Sequence, residues 1–326
     1  MLNSGRRLNS FKRLLITGAL GQIGSELTPE LRKLYGKESV IASDVRSPST
    51  DEGPFEILDI TDKVKLEEIV KYHDIDAIIH LAAILSASGE LNPQLAWHVN
   101  IGGLFNILEV ARIHGVKQVF NPSSIAVFGS STPKEFTPQE TMMNPTTIYG
   151  ITKLSGEFLG NYYFNKYGVD VRGIRFPGVI SNITLPGGGT TDYAVEMLYS
   201  VIKGRNYTSF LSENTKLPMI YMPDCIKSIK DLMNANLIDL KHHTDFNLAA
   251  FSFTPVELTT EIKKFYPDFK VDYISDRRQA IADSWPRSID DTAARIEWNW
   301  KPSYDFPSMV KDMLKILSER YALGKF

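Results

Sequence analysis

The chain has 326 residues, of which 43% are hydrophobic and 23% are charged, and its formal net charge at pH 7 is −2. This length is enough for one large domain, or for one domain with a smaller lobe. The balanced charge gives no reason to expect nucleic acid as a partner. No apolar run reaches the roughly 18–20 residues of a transmembrane helix, so no membrane is expected either.

Apolar runs alternate with helix-like segments through the first half of the chain. Buried strands are predicted at 12–17, 40–44, 55–59, 77–83, 116–122 and 169–176. Helices are predicted at about 22–35, after an N-cap at Thr61, at about 93–113 and at 149–167. Strands that alternate with helices over about 165 residues indicate a parallel, doubly wound α/β sheet of the Rossmann type.

The alternation weakens after residue 176. A flexible elbow at 186–189 is followed by a helix near 192–203, a strand near 219–221, a helix after Pro223 and Asp224, and a strand at 246–249. This pattern predicts a disordered tail at 1–11, a dinucleotide-binding domain at 12–176 to which 217–250 returns, and a smaller mixed α/β lobe made of 177–216 and 251–326. The lobe would cover the carboxyl edge of the sheet, where such folds bind ligands.

Three glycines at three-residue intervals, Gly18, Gly21 and Gly24, lie between the first predicted strand and the first predicted helix. Gly18 permits a tight turn, Gly21 lets a pyrophosphate approach the backbone, and Gly24 lets the helix pack closely on the sheet. Backbone N–H groups and the helix dipole would then hold the phosphates of a dinucleotide. The position of these glycines favours this role over an ordinary turn.

Asp44 ends the second predicted strand, about twenty residues beyond the glycine turn. Its carboxylate can accept hydrogen bonds from both hydroxyls of the adenosine ribose and would repel a 2′-phosphate, which favours NAD over NADP. Arg46 lies close by and weakens this preference. Asp59 fits a contact to adenine, but it fits a simple cap before Thr61 equally well. Further predicted cofactor contacts are Gln22, Ile23, Val45, Ile60, Leu81, Ala82, Ala83 and Pro177.

A serine, a tyrosine and a lysine follow in an order that suits proton transfer from an alcohol. Ser124 ends the fifth predicted strand, where its hydroxyl can either bond a substrate oxygen or cap a turn. Tyr149 and Lys153 stand at i and i+4 and therefore share a helix face. We expect the lysine ammonium and an oxidised nicotinamide to lower the pKa of the Tyr149 phenol from its ordinary value of roughly 10. The phenolate could then take the hydroxyl proton as hydride leaves carbon.

The spacing of Tyr149 and Lys153 is not specific by itself. The same spacing recurs at Tyr162–Lys166, Tyr199–Lys203 and Tyr266–Lys270. Only Tyr149 follows the serine-ended strand at a distance that returns the chain to the same sheet edge. Asn100, inside the helix predicted at 93–113, is expected either to bond backbone or water and brace Lys153, or to lie on a partly solvated helix face. Both interpretations of Asn100 stay open.

Histidines and cysteines are too few to suggest a metal site. The six histidines include one adjacent pair, His242 and His243, whose side chains would not share a helix face, and Cys225 is the single cysteine. We therefore expect no metal, and any oxidation of an alcohol would proceed without one. The lone cysteine also indicates a reducing compartment, either the cytoplasm or, if the source is a eukaryote, the mitochondrial matrix.

The glycine turn, Ser124 and the Tyr149–Lys153 pair together resemble the extended short-chain dehydrogenase/reductase family, whose members share TGxxGxxG, a strand-end serine and YxxxK. The match covers roughly the first 180 residues. Sugar-nucleotide epimerases and dehydratases of this family usually carry an asparagine after the sixth strand. Here residues 175–181 read RFPGVIS, and the first asparagine is Asn182. This difference counts against a nucleotide-sugar substrate.

Segments from about Lys12 to Trp300 resemble the short-chain type of L-threonine 3-dehydrogenase. They read GALGQIG at 18–24, ILSASGE at 84–90, PGGGTTDYA at 186–194, LPMIY at 217–221 and QAIADSWP at 279–286. The resemblance implies oxidation of the L-threonine β-hydroxyl by NAD to 2-amino-3-oxobutanoate, with Tyr149 as the base and Ser124 holding the hydroxyl. It also implies contacts to the amino acid from Ser86, Thr190, Thr191 and Trp285. From the residues alone, the two threonines could instead be helix caps, and Trp285 could belong to the core of the lobe.

Two other functions stay open on the sequence. An NAD-dependent sugar-nucleotide epimerase or dehydratase would keep its cofactor bound and release no net NADH. An NAD-sensing binding protein would have lost its chemistry altogether. Relatives in the resembled family pair through the helices that correspond to 93–113 and 149–167, so the resemblance also implies a homodimer.

Overall fold

The computed structural model describes residues 11–50, 52–185 and 187–326. Residues 1–10 of the predicted tail lie outside this part of the chain, as does Pro186 of the predicted elbow. Phe11 is buried, and its ring lies 6.4 Å from that of Tyr35 between centroids. Among the helices that are described, none is long and apolar enough to span a membrane.

Fourteen short strands are described in this part of the chain. They are β1 (Leu14–Thr17), β2 (Val40–Asp44), β3 (Phe55–Ile57), β4 (Ala77–His80), β5 (Gln118–Phe120), β6 (Ser123–Ser124), β7 (Asp170–Arg172), β8 (Ile174–Phe176), β9 (Gly178–Ile180), β10 (Tyr207–Ser209), β11 (Leu217–Tyr221), β12 (Phe246–Asn247), β13 (Phe251–Phe253) and β14 (Val271–Tyr273). Six of them form a parallel sheet in the order β3-β2-β1-β4-β5-β7. This doubly wound order confirms the predicted Rossmann-type α/β fold.

Helices connect the strands of this sheet and build the second half of the chain. They are α1 (Gly24–Tyr35), α2 (Lys63–Tyr72), α3 (Ser86–Leu91), α4 (Pro93–Trp97), α5 (Gly103–His114), α6 (Ile148–Tyr167), α7 (Tyr193–Ile202), α8 (Met222–Met233), α9 (Pro255–Lys263), α10 (Arg278–Ser284), α11 (Thr292–Trp298) and α12 (Phe306–Ala322). Short 3₁₀ turns occupy Lys37–Ser39, Ile125–Val127 and Leu237–Asp239, and a π-helical turn at His98–Gly102 joins α4 to α5. One smaller sheet has the order β12-β8-β6, a second has the order β13-β11-β9, and β10 pairs with β14.

The carboxyl ends of the central strands lie side by side because the strands run in register. Thr17, the last residue of β1, is paired with Ser43 on one side and with His80 on the other. Every residue of β1, β2 and β4 is buried, as expected of parallel strands covered by helices on both faces. The glycine turn after β1 and the loop after β4 therefore open at the same edge.

Three local features differ from the sequence-based predictions. The strand predicted at 169–176 breaks at Gly173, where a Cβ would lie 2.4 Å from the carbonyl oxygen of Thr244. The chain then leaves the main sheet, and β8 pairs with β6 and β12 instead. The N-cap of α2 is Asp62 rather than Thr61, since the Asp62 carboxylate accepts a hydrogen bond from the backbone N–H of Lys65 at 3.0 Å. The predicted helix at 93–113 contains one π turn.

Candidate active site

The glycine turn is required by close approaches of the backbone. Gly18 has φ +68°, and a Cβ there would lie 2.6 Å from the backbone nitrogen of Ala82. A Cβ on Gly24 would lie 2.5 Å from the carbonyl oxygen of Gly18. The turn is closed by a hydrogen bond from Gly21 N–H to Gly18 C=O at 3.0 Å. These contacts hold the start of α1 tightly against the ends of β1 and β4, the arrangement that cradles a pyrophosphate.

One cavity at the carboxyl edge of the sheet brings most of the predicted site together. Its walls come from the glycine turn, the ends of β4, β6 and β8, the first turns of α6, and the lobe. The predicted residues that line it are Gly18, Gly21, Gln22, Ile23, Gly24, Leu81, Ala83, Ser86, Ser124, Tyr149, Lys153, Pro177, Thr190, Thr191 and Trp285. Most predicted cofactor residues and all predicted substrate residues thus share one cavity, which is the usual form of a small-molecule site.

Six predicted cofactor residues do not line this cavity. They are Asp44, Val45, Asp59, Ile60, Ala82 and Asn100. Val45 is exposed, whereas the Ile60 side chain is buried against Gly103. The Asp59 carboxylate is exposed and accepts hydrogen bonds from the N–H and the hydroxyl of Thr61, which lower its pKa. These contacts are those of a local turn, and an exposed carboxylate of this kind also leaves room for adenine, so both interpretations of Asp59 stand.

Asp44 is nearly buried and already paired. Its carboxylate accepts hydrogen bonds from the backbone N–H of Leu20 at 3.1 Å and from Nε of Arg46 at 3.0 Å. Burial alone would raise the pKa of Asp44, but the hydrogen bonds from Arg46 and Leu20 outweigh it and hold the pKa below its ordinary value. A charged carboxylate beside the glycine turn suits the ribose hydroxyls of NAD. Arg46, whose side chain is 62% exposed, would have to give up part of this contact.

Ser124, Tyr149 and Lys153 meet where β6 ends and α6 begins. Thr147 caps α6 by accepting a hydrogen bond from Gly150 N–H, so Tyr149 lies in the first turn of the helix. Burial raises the pKa of Tyr149 to about 12, and a hydrogen bond with Ser124 opposes this shift. In the protein by itself, the cost of burying a phenolate is the larger effect, and the predicted lowering of this pKa by Lys153 together with an oxidised nicotinamide stays a prediction.

Lys153 is held by the backbone of the serine strand. Its Nζ donates a hydrogen bond to the carbonyl oxygen of Pro122 at 2.8 Å and lies 5.6 Å from the centre of the Tyr149 ring. Burial lowers the pKa of Lys153 to about 8, so the amine is still mostly an ammonium at neutral pH. An ammonium has three donors, and the two that remain can bind a ribose hydroxyl or the phenol oxygen.

Asn100 lies in the π turn between α4 and α5 and is nearly buried. Its amide oxygen accepts a hydrogen bond from Ile84 N–H at 2.8 Å, and its amide nitrogen donates to Ile84 C=O and to the Thr152 hydroxyl, each at 3.1 Å. Asn100 therefore secures the loop after β4 and the residue next to Lys153. Of the two interpretations from the sequence, the structure shows backbone bonding and not a solvated helix face.

The lobe side of the cavity carries a buried hydroxyl. Within the described part of the chain, Thr190 Oγ1 is buried and has no hydrogen-bond partner. The N-cap of α7 is Asp192, whose carboxylate turns back to accept hydrogen bonds from the N–H groups of Gly188 and Gly189. Thr190 is therefore not the helix cap, and its hydroxyl can serve a ligand. Trp285 is nearly buried and belongs both to the core of the lobe and to the cavity wall.

One polar side chain of the cavity wall, Asp192, was not predicted from the sequence. Ser123 also lines the cavity, next to the predicted Ser124. The Asp192 carboxylate binds the backbone N–H groups of Gly188 and Gly189 in the preceding loop, and no sequence spacing predicts this contact. His80 lies behind the cavity with Nδ1 2.8 Å from Thr17 Oγ1, and burial together with the Lys153 charge lowers its pKa to about 3. It is therefore no candidate for acid–base catalysis.

The fold and the cavity define an enzyme of the NAD-dependent short-chain type. The glycine cradle, the carboxylate after β2 and the free lysine donors fit a dinucleotide, and the serine and the tyrosine face the same space. A family model described as the NAD dependent epimerase/dehydratase family matches residues 14–249. The chain belongs to this family, and NAD is its cofactor.

Similar proteins cover nearly the whole chain. An uncharacterized epimerase/dehydratase of Staphylococcus aureus strain MRSA252 is 48% identical over 95% of this chain and 98% of its own length. A solved structure of L-threonine dehydrogenase from Clostridium difficile is 53% identical, with a TM-score of 0.93 over 95% of this chain and 98% of that one. A monomeric L-threonine 3-dehydrogenase from a metagenome is 47% identical, with a TM-score of 0.92 over 94% and 99%. The predicted resemblance to this group is confirmed.

A structure of UDP-glucose 4-epimerase from Thermotoga maritima shares the fold alone. It is 23% identical to this chain, with a TM-score of 0.83 over 95% of this chain and 99% of that one. The main sheet and the lobe are therefore common to enzymes with different substrates. The choice of substrate depends on the residues of the cavity.

Proposed function

We propose that this enzyme oxidises the β-hydroxyl of L-threonine with NAD and releases 2-amino-3-oxobutanoate. The observation that supports this most is the single cavity in which Ser124, Tyr149 and Lys153 face Thr190 and Trp285. The proton-transfer residues and a buried, unpartnered hydroxyl line the same cavity, which suits a small amino acid with two polar ends. The similarity to solved L-threonine dehydrogenases over nearly the whole chain supports the same substrate.

Tyr149 is the general base in this proposal. Bound NAD supplies the acceptor for the hydride that leaves the β-carbon. As the C–H electron pair leaves, the hydroxyl proton passes to the Tyr149 oxygen, and the carbon–oxygen single bond becomes a carbonyl. The protein alone holds the pKa of Tyr149 at about 12, so the positive charges of Lys153 and of the oxidised pyridine ring are needed together to favour the phenolate.

Ser124 orients the hydroxyl of the substrate. Its Oγ accepts a long hydrogen bond from Ala126 N–H at 3.2 Å, and its hydroxyl hydrogen remains available for the substrate oxygen or the phenol. Since Ser124 lies at the end of β6 and Tyr149 lies in the first turn of α6, both reach the same oxygen from different elements. Two hydrogen bonds from fixed groups place the β-carbon for hydride transfer.

Thr190 is proposed to bind the α-carboxylate. Replacement by valine keeps the shape of the side chain and removes the hydroxyl, so we expect the KM for L-threonine to rise about 10-fold to 100-fold, as for a lost hydrogen bond to a charged group. The value of kcat should change much less, because the reacting oxygen is held by Ser124. Steady-state kinetics at saturating NAD measure both constants.

The matched control for this prediction is Thr259→Val. Thr259 is also a buried threonine, but its hydroxyl donates to Pro255 C=O inside α9, away from the cavity. Its replacement should leave the KM for L-threonine unchanged. Equal KM values for both variants would show that Thr190 does not contact the substrate.

The proposed substrate is tested by NADH absorbance with a panel of alcohols. The purified enzyme is expected to reduce NAD with L-threonine and to give little signal with other hydroxy amino acids at the same concentration. A sugar-nucleotide epimerase would form no net NADH, and a UDP-sugar would raise its melting temperature more than threonine does. A protein that binds NAD but oxidises nothing would instead be a cofactor sensor.

We also propose a homodimer that forms through the α4, α5 and α6 helices. These helices carry several large apolar side chains that are exposed in the single chain, namely Leu95, Trp97, Phe105, Phe158 and Tyr162. Several large apolar side chains left exposed on neighbouring helices are often covered by a partner subunit. Phe158→Glu is expected to lower the molar mass measured by light scattering from that of two chains to that of one.

The matched control for the dimer is Ile238→Glu. Ile238 is 93% exposed and lies in a 3₁₀ turn away from these helices. The control variant should keep the mass of two chains. A wild-type protein with the mass of one chain, like the metagenomic relative described as monomeric, would contradict the proposal.

We propose the cytoplasm as the location of the enzyme. Cys225 is a buried free thiol, and burial raises its pKa well above the ordinary value, so it is protonated and inert at neutral pH. A protein with this cysteine content needs no oxidising compartment. Fractionation of the source cells, with activity found in the membrane-free lysate, would test this location.

A further inference from the structure

Three consecutive residues, Pro122 and the β6 residues Ser123 and Ser124, lie against one face of α6. Pro122 C=O accepts a hydrogen bond from Lys153 Nζ at 2.8 Å, and the Ser123 hydroxyl donates to Glu157 Oε1 at 2.5 Å. The third residue, Ser124, lines the same cavity as Tyr149, and its hydroxyl acts to lower the pKa of that phenol. The three partners on the helix stand at i, i+4 and i+8, which places them on one face. Tyr149 and Lys153 are the proposed catalytic groups, whereas the partner of Ser123 is Glu157.

Glu157 is buried and paired with an equally buried arginine. Both side chains are 2% exposed, and two hydrogen bonds of 2.9 Å join the carboxylate to Nε and Nη2 of Arg175. Arg175 also donates to Gln139 C=O at 3.0 Å and to Asn247 Oδ1 at 3.2 Å. A fork of this geometry fixes the carboxylate in position and direction.

Arg175 lies on β8 directly beside Ser123 on β6. The two residues are register partners, and Ser124 is the partner of Phe176. The carboxylate of Glu157 therefore joins three elements: the helix that carries Tyr149 and Lys153, the strand that carries Ser124, and the neighbouring strand. A shift of the paired strands β6 and β8 along α6 would break the contacts of both Ser123 and Arg175 with Glu157.

We propose that Glu157 is a positioning residue which, held by Arg175, uses the Ser123 hydroxyl to set the catalytic serine strand against the catalytic helix. This inference rests on the proposed function. An ionised carboxylate only accepts hydrogen bonds, so the Ser123 hydrogen is committed to Glu157 and is not free for the substrate. The arrangement thereby explains why Ser124, and not the adjacent Ser123, has a hydroxyl available for the reaction.

A purely structural ion pair would have different consequences. If the Glu157–Arg175 pair only stabilised the core, loss of the Ser123 hydroxyl would change stability slightly and the reaction not at all. If the pair sets the active-site geometry through Ser123, the same loss would slow the chemical step without weakening ligand binding. Small displacements of reacting groups have large effects on rate, since about 1 Å costs about 100-fold.

The experiment compares Ser123→Ala with Ser228→Ala in the full-length enzyme. Ser228 is a fully buried serine whose hydroxyl donates to Cys225 C=O in α8, so its replacement controls for loss of a buried hydroxyl. For Ser123→Ala we expect kcat with L-threonine to fall about 10-fold, and the KM values for threonine and NAD to stay within about twofold. Ser228→Ala should retain the wild-type kcat.

The pH profile separates positioning from stability. The hydrogen bond from Ser124 lowers the pKa of Tyr149, so a displaced Ser124 lowers it less. The acidic limb of the kcat profile should therefore move to higher pH in Ser123→Ala and stay in place in Ser228→Ala. Melting temperatures of both variants should lie close together. Glu157→Gln, which leaves Arg175 with the 3.4 Å contact to Asp245 as its ion pair, should lower kcat at least as much, and adding Ser123→Ala to it should have little further effect.

Each result decides between the two interpretations. Equal kcat values and equal pH profiles for Ser123→Ala and Ser228→Ala would overturn the positioning role, and so would a raised KM for threonine at unchanged kcat. If the wild type oxidises another alcohol but not threonine, the substrate proposal fails, and the same comparison with that alcohol still tests Glu157. A wild type that oxidises no alcohol overturns both.

Discussion

Replacement of Tyr149 by phenylalanine is expected to lower kcat for threonine-dependent NADH formation by about 1000-fold. The change removes only the phenol oxygen, which in the proposed mechanism accepts the hydroxyl proton of the substrate. General-base catalysis is worth about 100-fold to 10,000-fold. The affinity for NAD should remain close to that of the wild type, because the glycine turn and Lys153 are untouched. Stopped-flow or steady-state absorbance measures the rate, and titration calorimetry measures the affinity.

The matched control is Tyr162→Phe, at a second tyrosine four residues before a lysine. Lys166 Nζ donates to the Tyr162 hydroxyl at 2.5 Å, and this hydrogen bond lowers the pKa of Tyr162. Tyr162 is exposed on α6 and reaches no cavity wall. We expect full activity from this variant. Full activity in Tyr149→Phe, or a large loss in Tyr162→Phe, would contradict the assignment of the base.

The two tyrosines show why the spacing alone predicts so little. In the isolated protein Tyr162 has the more acidic phenol, since its lysine is bonded to it in solvent, whereas burial raises the pKa of Tyr149 to about 12. In the proposed mechanism, the reactive phenol is therefore not the one with the lower pKa in the free protein. It is the one that lies beside Ser124 in a cavity where bound charges act at low dielectric.

Much of the fold could be predicted because its signals are local. Buried apolar runs before glycines or acids marked the strands of the main sheet, and the alternation with helices indicated their parallel order. The break at Gly173 could not be predicted in this way, because it results from the approach of Thr244, which is 71 residues away in the chain. The π turn at His98–Gly102 likewise leaves no mark in a periodic pattern.

In the candidate site, too, the features with local signals were predicted and those that depend on distant contacts were not. Ser124, Tyr149 and Lys153 were predicted from their order along the chain. Ser124 was expected at the end of the fifth strand of the main sheet, but it lies on β6, which pairs with β8 in a smaller sheet. The pairing of Asp44 with Arg46 was suspected only as a weakness of the NAD argument, because sequence shows proximity but not the direction of a guanidinium. The role of Glu157 could not be predicted, because its partners Ser123 and Arg175 are distant in sequence and contact it only after β6, β8 and α6 have packed.

Replacement of Arg175 by methionine is expected to lower the free energy of unfolding by about 3–5 kcal/mol. The change keeps an unbranched apolar stem, shorter than arginine, but leaves the buried Glu157 carboxylate without its counter-charge, and breaking a buried pair on one side has this cost. Denaturant unfolding with a constant m-value measures the effect. Lys65→Met is the control, because its pair with Glu68 is exposed and 3.8 Å long; it should change stability by less than about 1 kcal/mol.

The double variant Glu157→Met/Arg175→Met and the pH dependence of the single variant test the cause. Burial already raises the pKa of Glu157, against the opposing effect of Arg175, so removal of Arg175 raises it further. Between the ordinary pKa and this higher one, the folded variant binds more protons than the unfolded chain, so its stability falls as pH rises. The loss should thus be smallest in mild acid and largest near neutral pH. The double variant removes both buried charges and leaves only Asp245, which is 18% exposed, without its 3.4 Å contact to Arg175, so it should recover most of the stability. A loss that stays constant over this pH range, or a double variant less stable than the single one, would mean that packing around Arg175, and not the unpaired carboxylate, causes the effect.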